Sequence, residues 1–201
     1  MAGKKRQGRP GAGDFGFLCK RKEGESMDAG DIRLVPMTDE MYHRYFREYA
    51  HDPDLLLPGQ PSVSYVYSKE RVERYIRRQK ERQRIPLAIM RQDEIVGEVI
   101  LKDVVEHTCA TLSIVLKRPE YKDHGIGTVA EGLAIRYVFN ELDIPTLYAD
   151  TIRSNTRSQH VLEKAGFAFI REDDEYRYYR ADRDGDLRGR ERMCSDGSCT
   201  F

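Results

Sequence analysis

The sequence has no long apolar segment: none of its 201 residues belongs to a run approaching the roughly 18 apolar residues that span a bilayer. Residues 1–9 also lack the apolar core of a secretory signal. Cysteines are few and include no C-x-x-C pair, which argues against a disulfide scaffold or a structural zinc site; they are Cys19, Cys109, Cys194 and Cys199. We therefore expect a cytoplasmic protein that neither crosses a membrane nor is secreted.

Net charge is absent as well, because 34 basic residues balance 34 acidic ones. This balance argues against a surface devoted to nucleic acid or to a membrane. Residues 1–28 and 184–201 are rich in glycine and charge and show no hydrophobic periodicity, so we expect a disordered basic tail and a loosely ordered polar tail. Residues 29–183 are then expected to fold as a single domain.

Between these tails the apolar periodicity alternates between that of strands and that of helices. Thr38, Ser68 and Asn155 are predicted to cap helices, and Gly166 to end one. The expected order is β-α-α-β-β-β-α-β-α-β-β, an α/β fold with a mixed, mostly antiparallel sheet flanked by helices. The predicted strands are 32–37, 86–90, 95–105, 110–116, 145–152, 167–170 and 176–180, and the third and fourth helices are 125–142 and 155–165.

Two glycines, Gly125 and Gly127, stand where the third helix begins. The free N–H groups at a helix N-terminus bind phosphate oxygens, and glycine lets the anion approach the backbone. A dinucleotide fold would bring its strand directly into the first glycine, whereas eight residues intervene here. No Gly-Lys-Ser or Gly-Lys-Thr follows, which excludes a P-loop.

The segment from Tyr121 to Thr128, Tyr-Lys-Asp-His-Gly-Ile-Gly-Thr, resembles the acyl-CoA pyrophosphate loop of the GCN5-related N-acetyltransferase (GNAT) family. A second segment, from Asn155 to Phe167, is similar to another signature of that family. Its pattern N-x-x-S-x-x-V-L-E-K-A-G-F is closest to the Rim-like branch, whose members acetylate the N-termini of ribosomal proteins. A helix and a strand separate the two segments, as that fold requires.

This resemblance implies a GNAT fold with splayed fourth and fifth strands, acetyl-CoA as cosubstrate and no metal. Asn155 would contact the cofactor or serve only as an N-cap, and Ser158 would lie near the sulfur, where it is the candidate catalytic hydroxyl. The backbone groups implied in pantetheine binding are those of Ile114, Val115 and Leu116, and the amides implied in pyrophosphate binding are those of Lys122, Asp123, His124, Gly125, Ile126, Gly127 and Thr128.

Three positions depart from the family pattern: Lys122 stands where the motif usually has glutamine or arginine, a mild change, and two others bear on catalysis. Leu162 stands where many members carry a tyrosine that protonates the leaving thiolate, and Thr111 stands where many carry a glutamate base. Ser158 is then the hydroxyl within reach. Other polar groups on the predicted strands that could serve instead are Glu98, Asp103, Tyr148 and Asp150.

The acceptor follows from the free energy of amine deprotonation. At pH 7 an α-amine loses its proton for about 1 kcal/mol, whereas a lysine amine needs about 4.6 kcal/mol. A site without an evident carboxylate base therefore favours a peptide or protein N-terminus. Two alternatives stay open, a small-molecule amine or antibiotic acetyltransferase and a non-catalytic acyl-CoA sensor. We expect a monomer or homodimer that binds neither a membrane nor a specific nucleic acid.

Overall fold

The computed structural model describes residues 27–61 and 64–184. They form one eight-stranded sheet in the order β1-β2-β3-β4-β5-β6-β8-β7, in which only the β5–β6 pair is parallel. This confirms the expected mixed, mostly antiparallel sheet. The strands are β1 (Met27–Ala29), β2 (Ile32–Pro36), β3 (Ile85–Arg91), β4 (Glu94–Val105), β5 (Cys109–Leu116), β6 (Thr146–Ile152), β7 (Ala168–Glu172) and β8 (Tyr176–Asp182).

Strand β1 was not predicted, and its first two residues fall in the segment 1–28 that we expected to be a tail. The remaining residues of that segment, and residues 185–201 of the expected C-terminal tail, lie outside the described residues.

Within the described residues, four α-helices flank the sheet: α1 (Asp39–Arg47), α2 (Lys69–Glu81), α3 (Ile126–Arg136) and α4 (Thr156–Lys164). The third helix was expected to run to residue 142, but its last turn, Tyr137–Glu141, is π-helical. Short 3₁₀ turns lie at Pro53–Leu55 and Pro119–Tyr121. Among the described residues, no helix has the length and apolarity needed to cross a bilayer.

Side-chain caps explain where three of these helices begin. Thr38, Ser68 and Asn155 each accept the N–H of the residue three positions further on, at 3.0–3.2 Å, as their sequence positions predicted. Helix α3 differs, since it begins at Gly125, whose φ is +74°, and no side chain caps it.

The two faces of the sheet have separate cores. On one face α3 and α4 pack against the strands through fully buried residues such as Leu133, Leu147 and Leu162. On the other face α1 and α2 cover β3 and part of β4, and here Tyr42 and Tyr45 pack with Val72. Each such side chain contributes about 1.5–3 kcal/mol when it is fully buried. The sheet therefore separates two compartments.

Strands β5 and β6 pair only over their first four residues, from Cys109 opposite Thr146 to Leu112 opposite Ala149. Beyond that point β5 continues to residue 116 and β6 to residue 152, but the two strands no longer pair with each other. The predicted splay of these strands, which we counted as the fourth and fifth, is confirmed. The sheet is consequently open at its centre.

Candidate active site

A cavity of about 240 Å³ occupies the gap between the splayed strands. It is lined by Leu112 and Ile114 on β5, by Ala149 on β6, and by Ser158 and Leu162 on α4. The 3₁₀ turn after α1 closes one side with Leu55. The cavity thus lies where the sequence motifs placed the reaction.

Residues of both strand orientations line this cavity. Successive side chains on a strand point to opposite faces, and residues paired across two strands share a face. Leu112 and Ala149 belong to the core beneath α3 and α4, so Ser113 and Asp150 point to the opposite face. The cavity therefore lies at the level of the sheet, bordered by residues that face either side of it.

The N-terminus of α3 fits a diphosphate. The first intrahelical bond runs from the N–H of Val129 to the carbonyl of Gly125 at 3.0 Å, so the N–H groups of Ile126, Gly127 and Thr128 precede it. No atom lies within 4 Å of the position that a Cβ would take at Gly125. An uncapped helix start with an open approach is suited to anion binding.

Side chains of the same loop are occupied by ion pairs. Lys122 contacts the carboxylates of Asp52 at 2.5 Å and Asp54 at 2.7 Å, while Arg157 contacts Asp123 at 2.7 Å. Burial opposes the charge of Lys122, yet the hydrogen bonds to both aspartates raise its pKa above the ordinary value. The loop therefore offers its amides to an anion more readily than its side chains. His124, also predicted for this loop, is exposed.

The structure brings most of the other predicted site residues to the cavity. Ile114, Val115, Asn155 and Ser158 line it, whereas Leu116 lies beyond it, paired with Gly97. Asn155 is a helix cap through its Oδ1 atom, and its Nδ2 atom donates to the carbonyl of Asp54 at 3.3 Å. The N-cap interpretation is confirmed, and a cofactor contact by Asn155 stays a prediction.

Asp150 is the one among the four alternative polar residues that lines the cavity, within the part of the chain that is described. Its carboxylate lies 3.6 Å from the amine of Lys102, which reaches it across β5. Tyr148 precedes it by two residues on the same strand face, and Asp103 is exposed at a bulge with a φ of +50°.

Glu98, the fourth alternative residue, lies beside Val115 but does not line the cavity. It is buried beneath α2, where the hydroxyl of Tyr75 donates to its Oε1 atom at 2.8 Å and its Oε2 atom has no partner. Burial raises the pKa of Glu98 to about 7, although the Tyr75 hydrogen bond opposes that rise.

Glu131 on α3 is a lining residue that the sequence analysis missed. It is only 1% exposed, its Oε2 atom has no hydrogen-bond partner, and burial raises its pKa to about 8. The available signal was a lone carboxyl among the apolar residues Ala130, Leu133 and Ala134, all of which are buried. An acidic residue inside an apolar helix stripe indicates either a paired core carboxyl or a functional one.

Comparison with known proteins gives one family. Residues 31–168 match the model of the acetyltransferase (GNAT) domain. Among curated protein sequences, none matches this chain.

Solved structures with the same fold include three acetyltransferases. Ribosomal-protein-S5-alanine acetyltransferase from Vibrio fischeri is 16% identical, with a TM-score of 0.63 over 80% of this chain and 98% of the other. The N-acetyltransferase PseH from Campylobacter jejuni is 16% identical, with a TM-score of 0.58 over 77% and 99% of the two chains. An aminoglycoside acetyltransferase in complex with coenzyme A is 16% identical, with a TM-score of 0.62 over 77% and 96%. At these identities the likeness concerns the fold.

Proposed function

The chain belongs to the GNAT acetyltransferase family, and we propose that it acetylates the α-amine of a peptide or protein N-terminus. As a member of this family it is an acetyltransferase that uses acetyl-CoA as its acetyl donor. The observation that carries the proposal is the cavity between the splayed strands, because residues of α3 and α4 and the acidic residue Asp150 of β6 meet at it. The sequence pattern of the segment from Asn155 to Phe167 supports a place in the Rim-like branch.

The residues on the α3 and α4 side would hold the cosubstrate. The amides from Lys122 to Thr128 would bind its pyrophosphate, and the backbone of Ile114 to Leu116, which has no pairing partner on its β6 side, would bind its pantetheine arm. Acetyl-CoA supplies an acetyl group activated as a thioester. Ser158, on the first turns of α4, would orient the sulfur end with its hydroxyl.

The acceptor would enter from the opposite face of the sheet. That side of the cavity carries Asp150 together with Tyr176 of β8, and Lys102 lies next to Asp150. The carboxylate attracts an amine, while the tyrosine ring provides a wall against which a short side chain packs. Placing the amine at the gap between the strands aligns it for direct attack on the thioester carbon.

The carboxyl groups at the cavity support an α-amine over a lysine amine. Asp150 is paired with a lysine, and Glu131 holds its proton at pH 7 because its pKa lies near 8. A base contributes about 10²–10⁴-fold to such a reaction. Without a free one, a lysine acceptor would meet the full cost of about 4.6 kcal/mol at pH 7, against about 1 kcal/mol for an α-amine.

A matched panel of amines tests this proposal. Coenzyme A release is measured at pH 7 with a peptide that has a free N-terminus and no lysine, and with the same peptide Nα-blocked and carrying one lysine. Spermidine and an aminoglycoside complete the panel. We expect kcat/KM for the free N-terminus to exceed that for the blocked lysine peptide by about 100-fold or more.

Other outcomes of this panel assign the acceptor differently. Faster turnover of spermidine or of the aminoglycoside would replace the N-terminal assignment by the small-molecule alternative. Coenzyme A binding without turnover of any amine would favour the sensor alternative and contradict the catalytic role.

A further inference from the structure

Glu131 lies on the α3 side of the cavity, and among the described residues its Oε2 atom has no hydrogen-bond partner. Its side chain lines the cavity together with Ser158 and Leu162, and its Oε2 atom is buried without a hydrogen bond. Leaving a buried polar atom unpaired costs stability, so such an atom in a cleft indicates a group that will pair with a ligand.

The other titratable groups around the cavity point to the acceptor side. Asp150 on β6 contacts Lys102, and Tyr176 on β8 lies opposite Ile152 in the register. The remaining lining residues from β5 and α4 carry no ionisable side chain, and burial alone accounts for the raised pKa of Glu131. Among the described lining residues on the α3 and α4 side, Glu131 is therefore the one that can donate a carboxyl proton.

Transfer of an acetyl group from a thioester is assisted by such a donor. A bond forms between the amine nitrogen and the acetyl carbon while the carbon–sulfur bond breaks, and the electron pair of the broken bond stays on sulfur. The leaving thiolate must then gain a proton, and the nitrogen must lose one. Leu162, which also lines this region, has no proton to give.

We propose that Glu131 is the catalytic acid that protonates the leaving thiolate. This assignment rests on the proposed acetyl transfer. The carboxyl gives its proton to sulfur, and the resulting carboxylate regains a proton from solvent. The nitrogen releases its proton to solvent. The net change is therefore the transfer of one proton from the amine to the thiol.

The acidity of the group suits this task. A carboxyl with an ordinary pKa would be ionised at pH 7 and would repel a thiolate. Glu131 instead holds its proton at pH 7, because its pKa is raised to about 8. A thiol has a pKa of about 8.5, so donor and acceptor are closely matched and the transfer is nearly balanced.

Glu131→Gln tests the assignment, because glutamine is isosteric and can donate a hydrogen bond but cannot transfer a proton. We expect kcat with acetyl-CoA and the best amine to fall about 100-fold, with the Kd of coenzyme A within about threefold of wild type. The wild-type kcat should decline as pH rises above about 8, and the variant should lose this decline. Glu163→Gln, an exposed change on α4, serves as the matched control and should keep wild-type rates.

A second measurement needs no turnover. The thiolate absorbance of bound coenzyme A is titrated in wild type and in Glu131→Gln, with thermal unfolding as a check that both fold. A neighbouring carboxylate disfavours the thiolate, so its midpoint should lie roughly one pH unit higher in wild type. Equal midpoints, or a kcat within about threefold of wild type with an unchanged pH profile, would overturn the assignment. A wild-type protein that neither binds coenzyme A nor turns over an amine would instead contradict the proposed function.

Discussion

The buried carboxyl of Glu98 makes a specific prediction about how stability depends on pH. Burial raises its folded-state pKa from 4.5 to about 7, although Tyr75 donates a hydrogen bond to it. Glu98→Gln keeps an acceptor for the Tyr75 hydroxyl and removes the titration. The variant therefore isolates the contribution of this one group to the pH dependence of unfolding.

The sign follows from proton binding in the two states. Between pH 4.5 and about 7 the folded protein keeps the Glu98 proton that the unfolded chain releases, so the free energy of unfolding falls as pH rises. One pKa unit corresponds to about 1.4 kcal/mol. The rise from 4.5 to about 7 therefore lowers the free energy of unfolding by on the order of 3 kcal/mol once Glu98 is fully ionised in both states. About 2 kcal/mol of that loss is expected between pH 5 and pH 7.

Urea unfolding of wild type and Glu98→Gln at a series of pH values measures this loss. We compare the free energy of unfolding of the variant with that of wild type at each pH. This difference should rise by about 2 kcal/mol from pH 5 to pH 7, and a pH-independent effect of the amide does not alter the rise. Glu175→Gln, at an exposed hairpin position, should show no such trend. A difference that stays constant within about 0.5 kcal/mol would refute the reasoning, because Glu98 would then be ionised in the folded state.

Three further substitutions test the cavity and its loop. Gly97→Ala should lower the free energy of unfolding in urea by about 1–3 kcal/mol and weaken coenzyme A binding, since its Cβ would lie 2.7 Å from the carbonyl oxygen of Val115. Gly125→Ala should cost about 1–2 kcal/mol in the same assay, because φ is +74° there. Asp54→Asn should tighten coenzyme A binding about two- to fivefold in low-salt calorimetry, because it releases Lys122 from one carboxylate.

Two of these substitutions, Gly97→Ala and Asp54→Asn, have a matched control. Gly132→Ala on α3 places its Cβ in open space and should be neutral or stabilising, so equal losses for Gly97→Ala and Gly132→Ala would contradict the steric argument. Asp143→Asn removes the same charge beyond the far end of α3, where Arg183 pairs with it. Tighter binding in that variant as well, or an effect insensitive to salt, would contradict a local role for Asp54.

Local signals in the sequence predicted the elements well, because each signal acts within one helical turn or along one strand. Thr38, Ser68 and Asn155 each cap a helix as predicted, since the capping bond joins residues only three positions apart. The glycine at the start of α3 was also predictable, because a glycine at a helix start has a local geometric reason. Strand β1 was not predicted, because three residues give too little periodicity and the strand forms only by pairing with β2 in a hairpin.

Contacts between distant segments could not be read in this way. The pairing of Lys122 with Asp52 and Asp54 joins residues about seventy positions apart, and nothing near Lys122 in sequence indicates it. Likewise Asp150 and Lys102 meet only because β4 and β6 lie on either side of β5. The strand splay itself was predicted from the family resemblance, and no local pattern indicates where pairing stops.

The sequence alone determined the order of the elements from β2 to β8, the glycine at the start of α3 and the family, because these depend on short-range periodicity and on two contiguous motifs. The tertiary structure alone decided which acidic side chains are buried and which of them line the cavity. Nothing in the sequence distinguishes the protonation behaviour of Glu131 or Glu98 from that of other acidic residues, and the same holds for the position of Asp150. Their difference comes from burial against distant segments, which raises the pKa of Glu131 and Glu98, whereas Asp150 stays exposed enough to pair with Lys102.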